Sequence, residues 1–317
     1  MNTIDIAAIG EVLIDLTQTD IDSRGIPTFT ANPGGAPANV AVAAAKLGAR
    51  TAFIGCVGRD SFGMRLRNVL EKNNVDVSGL GVHAQVPTTL AVVSVDQSGE
   101  RSFSFYRKPG ADICLSQEHV PQKIVEQSRI MHFGSVSLTD DPSGTTVLNT
   151  VKKAKEHGAL ITYDPNYRES LWKDRELAKR RMRMPLKLVD VIKISDEETE
   201  LMTGEKNPVE AASLLMRNGV KLVLITLGAQ GVYYRYGYAD GIVDGYQVKV
   251  ADTNGAGDTF FGAFLSRLSA RRNMLELLSE NELCRMLRFA NCATAITTSR
   301  PGAIPAMPSV NEVLQML

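Results

Sequence analysis

Residues 252–265 read DTNGAGDTFFGAFL, a glycine-rich turn followed directly by an apolar stretch of helical composition. Glycines let the backbone approach a ligand closely, and the first amides of a helix point at that ligand. We therefore expect Gly255, Ala256 and Gly257 to form an anion hole suited to a polyphosphate. Asp258 follows in the first helical turn. It could be an N-terminal cap with no further role, because aspartate is favoured at that position. A cap does not need three small residues before it, so we favour a functional Asp258.

A second glycine pair precedes an alanine-rich stretch near the N-terminus. Residues 32–39 read NPGGAPAN, and residues 38–47 favour a helix that ends at a glycine. Gly34 and Gly35 allow close backbone approach, and Asn39 offers both a hydrogen-bond donor and an acceptor. These groups suit a polyhydroxylated ligand, although an ordinary loop and cap would have the same composition.

Short apolar runs alternate with helical stretches along the rest of the chain. The predicted strands are residues 4–9, 51–57, 130–133, 160–164, 191–194 and 222–226. The predicted helices are residues 38–47, 62–73, 145–157, 169–184 and 208–218. Apolar strands that alternate with helices are typical of a mostly parallel sheet covered on both faces. The sequence thus predicts an α/β fold.

Two regions lack a covering helix. Residues 89–95 and 101–106 alternate in polarity around the turn residues 96–99, which predicts a hairpin, and residues 10–30 also favour an extended chain. We expect both regions to form a small antiparallel sheet beside the main domain. Such a sheet, from about residues 11–32 and 86–110, can act as a lid that closes over a cleft and excludes water.

Composition limits the classes of function. The 317 residues allow one large α/β domain or two smaller ones, and a hydrophobic fraction of 44% excludes a disordered chain. The 35 basic and 35 acidic side chains cancel. A zero net charge argues against a protein that coats nucleic acid or anionic lipid, but it leaves room for an anionic ligand at one cleft.

The sequence also bears on location. The first residues lack the basic segment of a signal peptide, and no run approaches the ~18 apolar residues that span a bilayer. The cysteines are scattered at positions 56, 114, 284 and 292, without a C-x-x-C pair. This pattern fits reduced thiols and predicts a cytoplasmic protein without a membrane or zinc site.

Several familiar motifs are missing or unsupported. The chain has no Walker A loop, H-E-x-x-H or G-x-S-x-G motif. Residues 79–84, GLGVHA, match a dinucleotide-binding pattern, but strand-like sequence follows where that pattern requires a helix. The basic run at residues 179–183 fits a solvated helix face better than a nucleic-acid contact.

Taken together, the two glycine motifs resemble the two signatures of the PfkB carbohydrate kinases, the ribokinase-like family. The likeness runs from Gly10 to the final helix in the family's order. Three segments resemble most closely the fructokinase branch: GGAPAN at residues 34–39, GERSFSFYR at 99–107 and YDPNYR at 163–168, the last followed by Leu171-Trp172. The resemblance implies one ribokinase-like kinase domain over residues 1–317, with a central, mostly parallel sheet and a small β-sheet lid.

The resemblance also implies roles for individual residues. Asp258 matches the catalytic base, and Gly255, Ala256 and Gly257 match the hole for the γ-phosphate. The sugar contacts match Asp15, Gly34, Gly35 and Asn39. The residues around the nucleotide match Lys193, Ser195, Glu198, Thr226, Gly228, Gly231, Gly257 and Asn291, with Asn291 beside the adenine. A monovalent-cation site, for K⁺, is implied near Asp252 and the loop of residues 299–302.

Two positions depart from the family pattern. The usual N-x-x-E is SDEE at residues 195–198, so Glu198 can still organise Mg²⁺ through water while Ser195 offers a shorter, weaker contact. Asn254 stands where threonine is commoner, which leaves the backbone hole in place and changes its side-chain contact.

Two arginines have alternative interpretations. Arg107 and Arg168 could form surface ion pairs of little energetic value. We favour the interpretation that they contact substrate or phosphate as the lid closes, because the planar guanidinium suits anions. In some relatives such arginines hold the carboxylate of an acidic sugar, which keeps a keto-deoxygluconate substrate open.

The resemblance implies an ATP-dependent sugar kinase, and fructose is the acceptor we expect. A 2-keto-3-deoxygluconate kinase, a ribokinase and a nucleoside kinase stay open as alternatives. A catalytically silent sugar-binding regulator is disfavoured because Asp258 and its glycine turn are intact. The family's flap-to-flap pairing further implies a homodimer through the lid.

Overall fold

The computed structural model describes residues 4–95 and 101–317 of the chain. Two sheets organise these residues. In chain order the strands are β1 Ile4–Ile9, β2 Leu13–Ile21, β3 Pro27–Gly34, β4 Thr51–Gly58, β5 Val75–His83, β6 Leu90–Val95, β7 Arg101–Tyr106, β8 Ser128–Gly134, β9 Leu160–Asp164, β10 Val191–Ser195, β11 Leu222–Thr226, β12 Val232–Tyr236 and β13 Ala239–Val243.

The larger sheet has nine strands in the order β13-β12-β11-β10-β9-β8-β1-β4-β5. The seven strands from β11 to β5 pair in parallel, while β12 runs antiparallel to both of its neighbours. Helices cover both faces, which explains why strands such as β4 are buried along their whole length. The predicted parallel α/β sheet is confirmed.

Ten α-helices lie around this sheet in the described part of the chain. They are α1 Ala36–Lys46, α2 Ser61–Lys72, α3 Gln122–Gln127, α4 Ser143–Glu156, α5 Arg175–Arg183, α6 Thr199–Thr203, α7 Pro208–Arg217, α8 Ala256–Ala270, α9 Glu280–Thr298 and α10 Val310–Met316. The predicted helix at residues 169–184 is too long. Asp174 caps α5 by accepting from the Leu177 amide at 2.7 Å, so only a short 3₁₀ turn precedes it.

The smaller sheet, which we call the lid, has four strands in the order β3-β2-β6-β7. Strands β2 and β3 form one antiparallel hairpin, and β6 and β7 form the other. The two hairpins meet through β2 and β6, which run parallel. The expectation of a wholly antiparallel sheet is therefore wrong, because both hairpins leave the main sheet in the same direction. The turn predicted at residues 96–99 lies outside the described residues.

Other expectations from the sequence can be compared directly. Residues 79–83 lie in strand β5, with Ala84 directly after it, which confirms that residues 79–84 are not a dinucleotide-binding turn. All four cysteines are free. Across residues 4–95 and 101–317, the helices are too short or too polar to cross a bilayer.

Candidate active site

The turn before α8 has the geometry of an anion hole. Gly255 caps the helix at φ +73°, and a Cβ there would lie 2.8 Å from Ala303 Cβ, so glycine is required. The amide of Thr259 is the first to donate into the helix, to Gly255 O at 2.8 Å. The Ala256 amide donates to Thr253 O at 3.2 Å. The amides that follow Ala256 in the first turn are therefore the ones available to an anion.

Asp258 is buried in this first turn, where side chains from two other elements hold its carboxylate. Asn39 Nδ2 donates to Oδ2 at 2.8 Å, and Asn166 Nδ2 approaches Oδ1 at 3.4 Å. Burial, together with the charge of Asp164, raises the pKa of Asp258 to about 6, against the opposing effect of the Asn39 hydrogen bond. Both oxygens thus face groups outside their own helix, which favours the functional interpretation over a cap.

A buried ion pair lies next to the anion hole. Lys193 Nζ lies 2.9 Å from Asp164 Oδ2, and both side chains are almost fully buried. A Cβ on Gly257 would lie only 2.7 Å from Lys193 Nζ, so the ammonium touches the first turn of α8. Burial alone would lower the pKa of Lys193, but the charges of Asp164 and Glu198 outweigh it and raise that pKa. The ammonium is therefore a permanent positive charge beside the hole.

The residues predicted to contact a sugar come together on the opposite wall. Asp15 belongs to β2, and a Cβ on Gly34 would lie 2.2 Å from its Oδ2, so Gly34 makes room for the carboxylate. Gly35 begins α1 at φ +105°, with Glu11 O only 2.6 Å from where a Cβ would lie. Asn39 Oδ1 is buried and has no hydrogen-bond partner among the described residues, so it is left for a ligand. Burial raises the pKa of Asp15 to about 7.

These two walls enclose a cleft of about 660 Å³ at the carboxyl ends of the parallel strands. The predicted residues that line it are Asp15, Gly35, Asn39, Arg168, Lys193, Asp252, Gly255, Ala256, Gly257 and Asp258. Strands β6 and β7 of the lid contribute Val93 and Phe105 to the same lining. The cleft is thus shared between the main domain and the lid.

A second, mostly apolar cavity of about 310 Å³ lies on the other side of α8. It brings together Thr226, Gly228, Gly231, Gly257 and Asn291, as the sequence predicts for a nucleotide site. Asn291 uses its side-chain amide to hold the chain after β13, donating to Val243 O at 3.0 Å. Both cavities are lined by Thr253, Ala256 and Gly257, so they meet at the anion hole.

The two arginines have different positions. Arg168 is exposed at the cleft, and its charge acts on both Asp15 and Asp258. Arg107 is buried, and among the described residues it is not one of those that line the cleft. Its Nε pairs with Asp112 Oδ2 at 2.7 Å. The alternative of a surface ion pair is therefore wrong for Arg107, since its pair is buried, and the favoured contact with substrate or phosphate stays a prediction.

The predicted metal-associated residues are held by backbone amides. Glu198 accepts from the amides of Tyr167 and Ser195 at 2.7 and 2.8 Å. The Ser195 hydroxyl also bonds Glu198, at 3.3 Å, so it positions that carboxylate. Asp252 accepts from the amides of Asn254 at 2.9 Å and Gly302 at 3.0 Å. This carboxylate thereby ties the glycine turn to the loop of residues 299–302.

Three residues of this region were not assigned from the sequence. Asn166 lies at φ +48° and reaches Asp258, and Glu11 lines the cleft beside Gly35. Asp164 pairs with Lys193 and has a buried Oδ1 without a partner in the described structure. The YDPNYR motif contains two of these positions, and it drew notice only as part of a family resemblance.

Comparison with known proteins decides the family. The sequence pattern described as "pfkB family carbohydrate kinase" matches residues 3–310. The chain belongs to this family. Among the curated relatives of this pfkB kinase, "Probable fructokinase-2" of Arabidopsis thaliana is 40% identical over 98% of the chain and 95% of the relative. "Fructokinase-2" of Solanum lycopersicum has the same identity and coverage.

Solved structures agree with the assignment. A fructokinase from Xylella fastidiosa with bound ATP superposes with a TM-score of 0.91 at 33% identity, covering 98% of both chains. A Vibrio cholerae O395 fructokinase in a fructose, ADP and calcium ion bound form has a TM-score of 0.89 at 32% identity and the same coverage. The ribokinase-like fold is confirmed, and this pfkB kinase is a phosphotransferase with an alcohol acceptor.

Proposed function

We propose that the protein is an ATP-dependent fructokinase, which transfers the γ-phosphoryl group of ATP to a hydroxyl of fructose. The observation that carries the proposal is the position of Asp258. It lies where the polar cleft meets the apolar cavity, beside the anion hole. Fructokinases at about 40% identity over nearly the whole chain support fructose as the acceptor.

The cleft offers hydrogen-bond acceptors to an uncharged polyol. Asn39 Oδ1 has no partner in the described structure, and Asp15 presents its carboxylate from the lid. Sugar hydroxyls donate to such oxygens, and each buried acceptor left unpaired would weaken binding. Because Asp15 belongs to β2, sugar binding and lid position are linked. Closure of the lid would exclude water, which otherwise competes for the phosphoryl group.

Asp258 accepts the proton of the attacking hydroxyl. With a pKa of about 6, this carboxyl is mostly ionised at pH 7. It is still far too weak a base to deprotonate a free alcohol, so the proton moves late. The sugar oxygen forms its bond to the γ-phosphorus while the bond to the leaving ADP oxygen breaks. The proton passes from the hydroxyl to Asp258.

Phosphoryl transfer mainly requires positioning and neutralisation of charge. The free amides of the first α8 turn donate to phosphoryl oxygens, and Lys193 adds a full positive charge beside them. Burial of the Lys193–Asp164 pair fixes this charge before the substrates arrive. The site is therefore preorganised for a polyphosphate even though the chain has no net charge.

We place Mg²⁺ at the same junction, where Glu198 would organise it through water and Asp164, whose Oδ1 has no partner in the described structure, would be a second carboxylate. The described residues contain no group of three His, Cys, Asp or Glu side chains able to hold a metal alone. This fits Mg²⁺, which uses one or two carboxylates together with substrate phosphates and water. When bound, it would neutralise charge on the phosphates. We place a monovalent cation, K⁺, near Asp252 and residues 299–302.

We also propose a cytoplasmic homodimer that pairs through the lid. The hairpin of β2 and β3 exposes the apolar side chains of Ile21, Ile26 and Phe29, and Ile21 is 57% exposed. Burial of these side chains against a second lid would stabilise a dimer. The free cysteines suit a reducing compartment. Light scattering should give the dimer mass for the wild type and the monomer mass for Phe29→Asp.

A panel of phosphoryl acceptors tests the function directly. ADP release would be followed in a coupled assay with fructose, 2-keto-3-deoxygluconate, ribose and a nucleoside, in the presence of Mg²⁺ and K⁺. We expect the highest kcat/KM with fructose. Asp258→Asn should retain sugar binding but lose turnover by several orders of magnitude. A higher kcat/KM for another acceptor would refute fructose, and near-normal turnover of the variant would refute the base.

A further inference from the structure

Glu11 is a buried carboxylate in the wall of the sugar cleft. It lies two residues after the end of β1, at the carboxyl end of a central strand, and is only 2% exposed. The Ser137 hydroxyl, which follows the neighbouring strand β8, donates to its Oε2 at 2.8 Å. The residue's own backbone amide donates to the carboxylate as well, and two neutral hydrogen bonds still do not fill a carboxylate, which can accept about four. The side chain can therefore accept further hydrogen bonds, at a position that lines the cleft.

The nearest opposite charge does not compensate Glu11. Arg107 is already paired with Asp112 at 2.7 Å. Its two remaining nitrogens donate to Thr139 Oγ1 at 2.6 Å and to Val136 O at 3.0 Å. Two carboxylates and one guanidinium thus share this buried region, leaving one negative charge in excess. Burial accordingly raises the pKa of Glu11 to about 7.

Glu11 belongs to a different electrostatic neighbourhood from the base. The charges that act on Glu11 are those of Arg107 and Asp112. Asp258, in contrast, responds to the charges of Asp164, Lys193 and Arg168. Both carboxylates nevertheless line one cleft. Different side chains hold the two carboxylates, Ser137 for Glu11 and Asn39 with Asn166 for Asp258, so Glu11 meets a different part of the sugar from the hydroxyl that is phosphorylated.

We propose that Glu11 is a specificity-determining residue. It accepts a hydrogen bond from a remote sugar hydroxyl and excludes sugars that carry a carboxylate in place of that hydroxyl. The inference rests on the proposed sugar kinase function and deepens it. A hydroxyl supplies the donor that the buried carboxylate lacks. An acidic sugar supplies no donor at that position, and above about pH 7, where Glu11 is ionised, it adds like charge, which a buried site rejects strongly.

The test compares Glu11→Gln with the wild type, and Glu71→Gln serves as the matched control. Glu71 is exposed on α2, away from the cleft. Fructose is the neutral probe, and 2-keto-3-deoxygluconate is the acidic probe, as substrate or as competitive inhibitor. In Glu11→Gln we expect the fructose KM to rise about tenfold or more, with kcat and the ATP KM within about threefold. The preference for fructose over the acidic sugar should fall at least about tenfold.

The outcomes separate this inference from the proposed function. An unchanged fructose KM and an unchanged sugar preference in a folded Glu11→Gln would overturn the role of Glu11. If the wild type does not phosphorylate fructose, the fructokinase proposal fails by itself. The same comparison is then made with the acceptor that the panel identifies.

Circular dichroism and thermal melting report folding. Should Glu11→Gln not fold, Glu11→Asp replaces it, because it keeps the charge and withdraws the oxygens by one methylene. In that variant the neutral sugar's KM should rise about tenfold while the acidic sugar stays excluded. Equal changes for both sugars would contradict the inference.

Discussion

The hydrogen bond from Asn39 to Asp258 sets the pH at which the proposed base becomes active. Asn39 Nδ2 lies 2.8 Å from Asp258 Oδ2 in a buried setting, and it favours the ionised carboxylate. Hydrogen bonds to charged groups contribute about 1.5–3 kcal/mol, and one pKa unit corresponds to about 1.4 kcal/mol. Asn39→Ala should therefore raise the pKa of Asp258 by about one unit or more.

The assay is the pH profile of kcat at saturating sugar, because kcat/KM for the sugar would also report Asp15 and Glu11, whose pKa values lie near 7 in the free enzyme. For the wild type we expect the acid limb to be half-maximal near pH 6, the pKa of Asp258. Activity should fall about tenfold per pH unit below this point, because only the ionised carboxylate accepts the proton. In Asn39→Ala the half-maximum should move to about pH 7 or above.

Asn73→Ala is the matched control, because Asn73 caps α2 away from the cleft and should leave the profile unmoved. The two variants can also be compared for sugar KM, which we expect Asn39→Ala to raise through the lost Oδ1 contact. The shift in pH is the decisive measurement. An acid limb in Asn39→Ala that stays at the wild-type pH, or moves below it, would refute Asp258 as the group being titrated.

Three further predictions concern glycines and stability. Gly257→Ala places a Cβ against Lys193 Nζ, so kcat should fall at least about tenfold with little change in sugar KM, as steady-state kinetics would show. Gly34→Ala displaces the Asp15 carboxylate and should raise the sugar KM about tenfold while leaving the ATP KM unchanged. The pKa of Glu11 is raised from 4.5 to about 7, so its protonation stabilises the fold below about pH 4.5 and this contribution is lost as the pH rises through 7. Thermal melts without ligand should show this loss, on the order of 3 kcal/mol, as the difference between the wild type and Glu11→Gln across that range, because Asp15 and Asp258 titrate in both proteins.

Local sequence patterns were enough to predict six of the nine strands of the larger sheet and the glycine turn before α8, whereas β5, β12 and β13 were not predicted. The boundaries of β9 and β11 match the prediction, because each is an apolar run that ends at a polar residue. The Gly255 turn was equally readable, since a left-handed cap followed by a helix has a distinctive composition. Asn39 was identified for the same reason, at the start of an alanine-rich helix.

Non-local contacts could not be predicted in the same way. The parallel pairing of β2 with β6 joins segments about 75 residues apart, and neither strand carries a pattern that specifies its partner. The burial of Arg107 depends on Asp112 in a 3₁₀ turn and on Thr139, which follows another strand. Glu11 is a single acidic residue after a strand, and only the folded structure shows that it lines the cleft and bonds Ser137.

The way the lid is attached has a mechanical consequence. Four chain segments connect its two hairpins to the main domain, at the starts of β2 and β6 and the ends of β3 and β7. Asp112 binds both Thr89 and Arg107, so it clamps the two ends of the second hairpin together. A sheet joined to a domain by one segment can rotate freely about that segment. A sheet joined by four segments can rotate only about the line that passes through the four connections. The lid should therefore close by a small rotation, which keeps Asp15 near the sugar throughout the cycle.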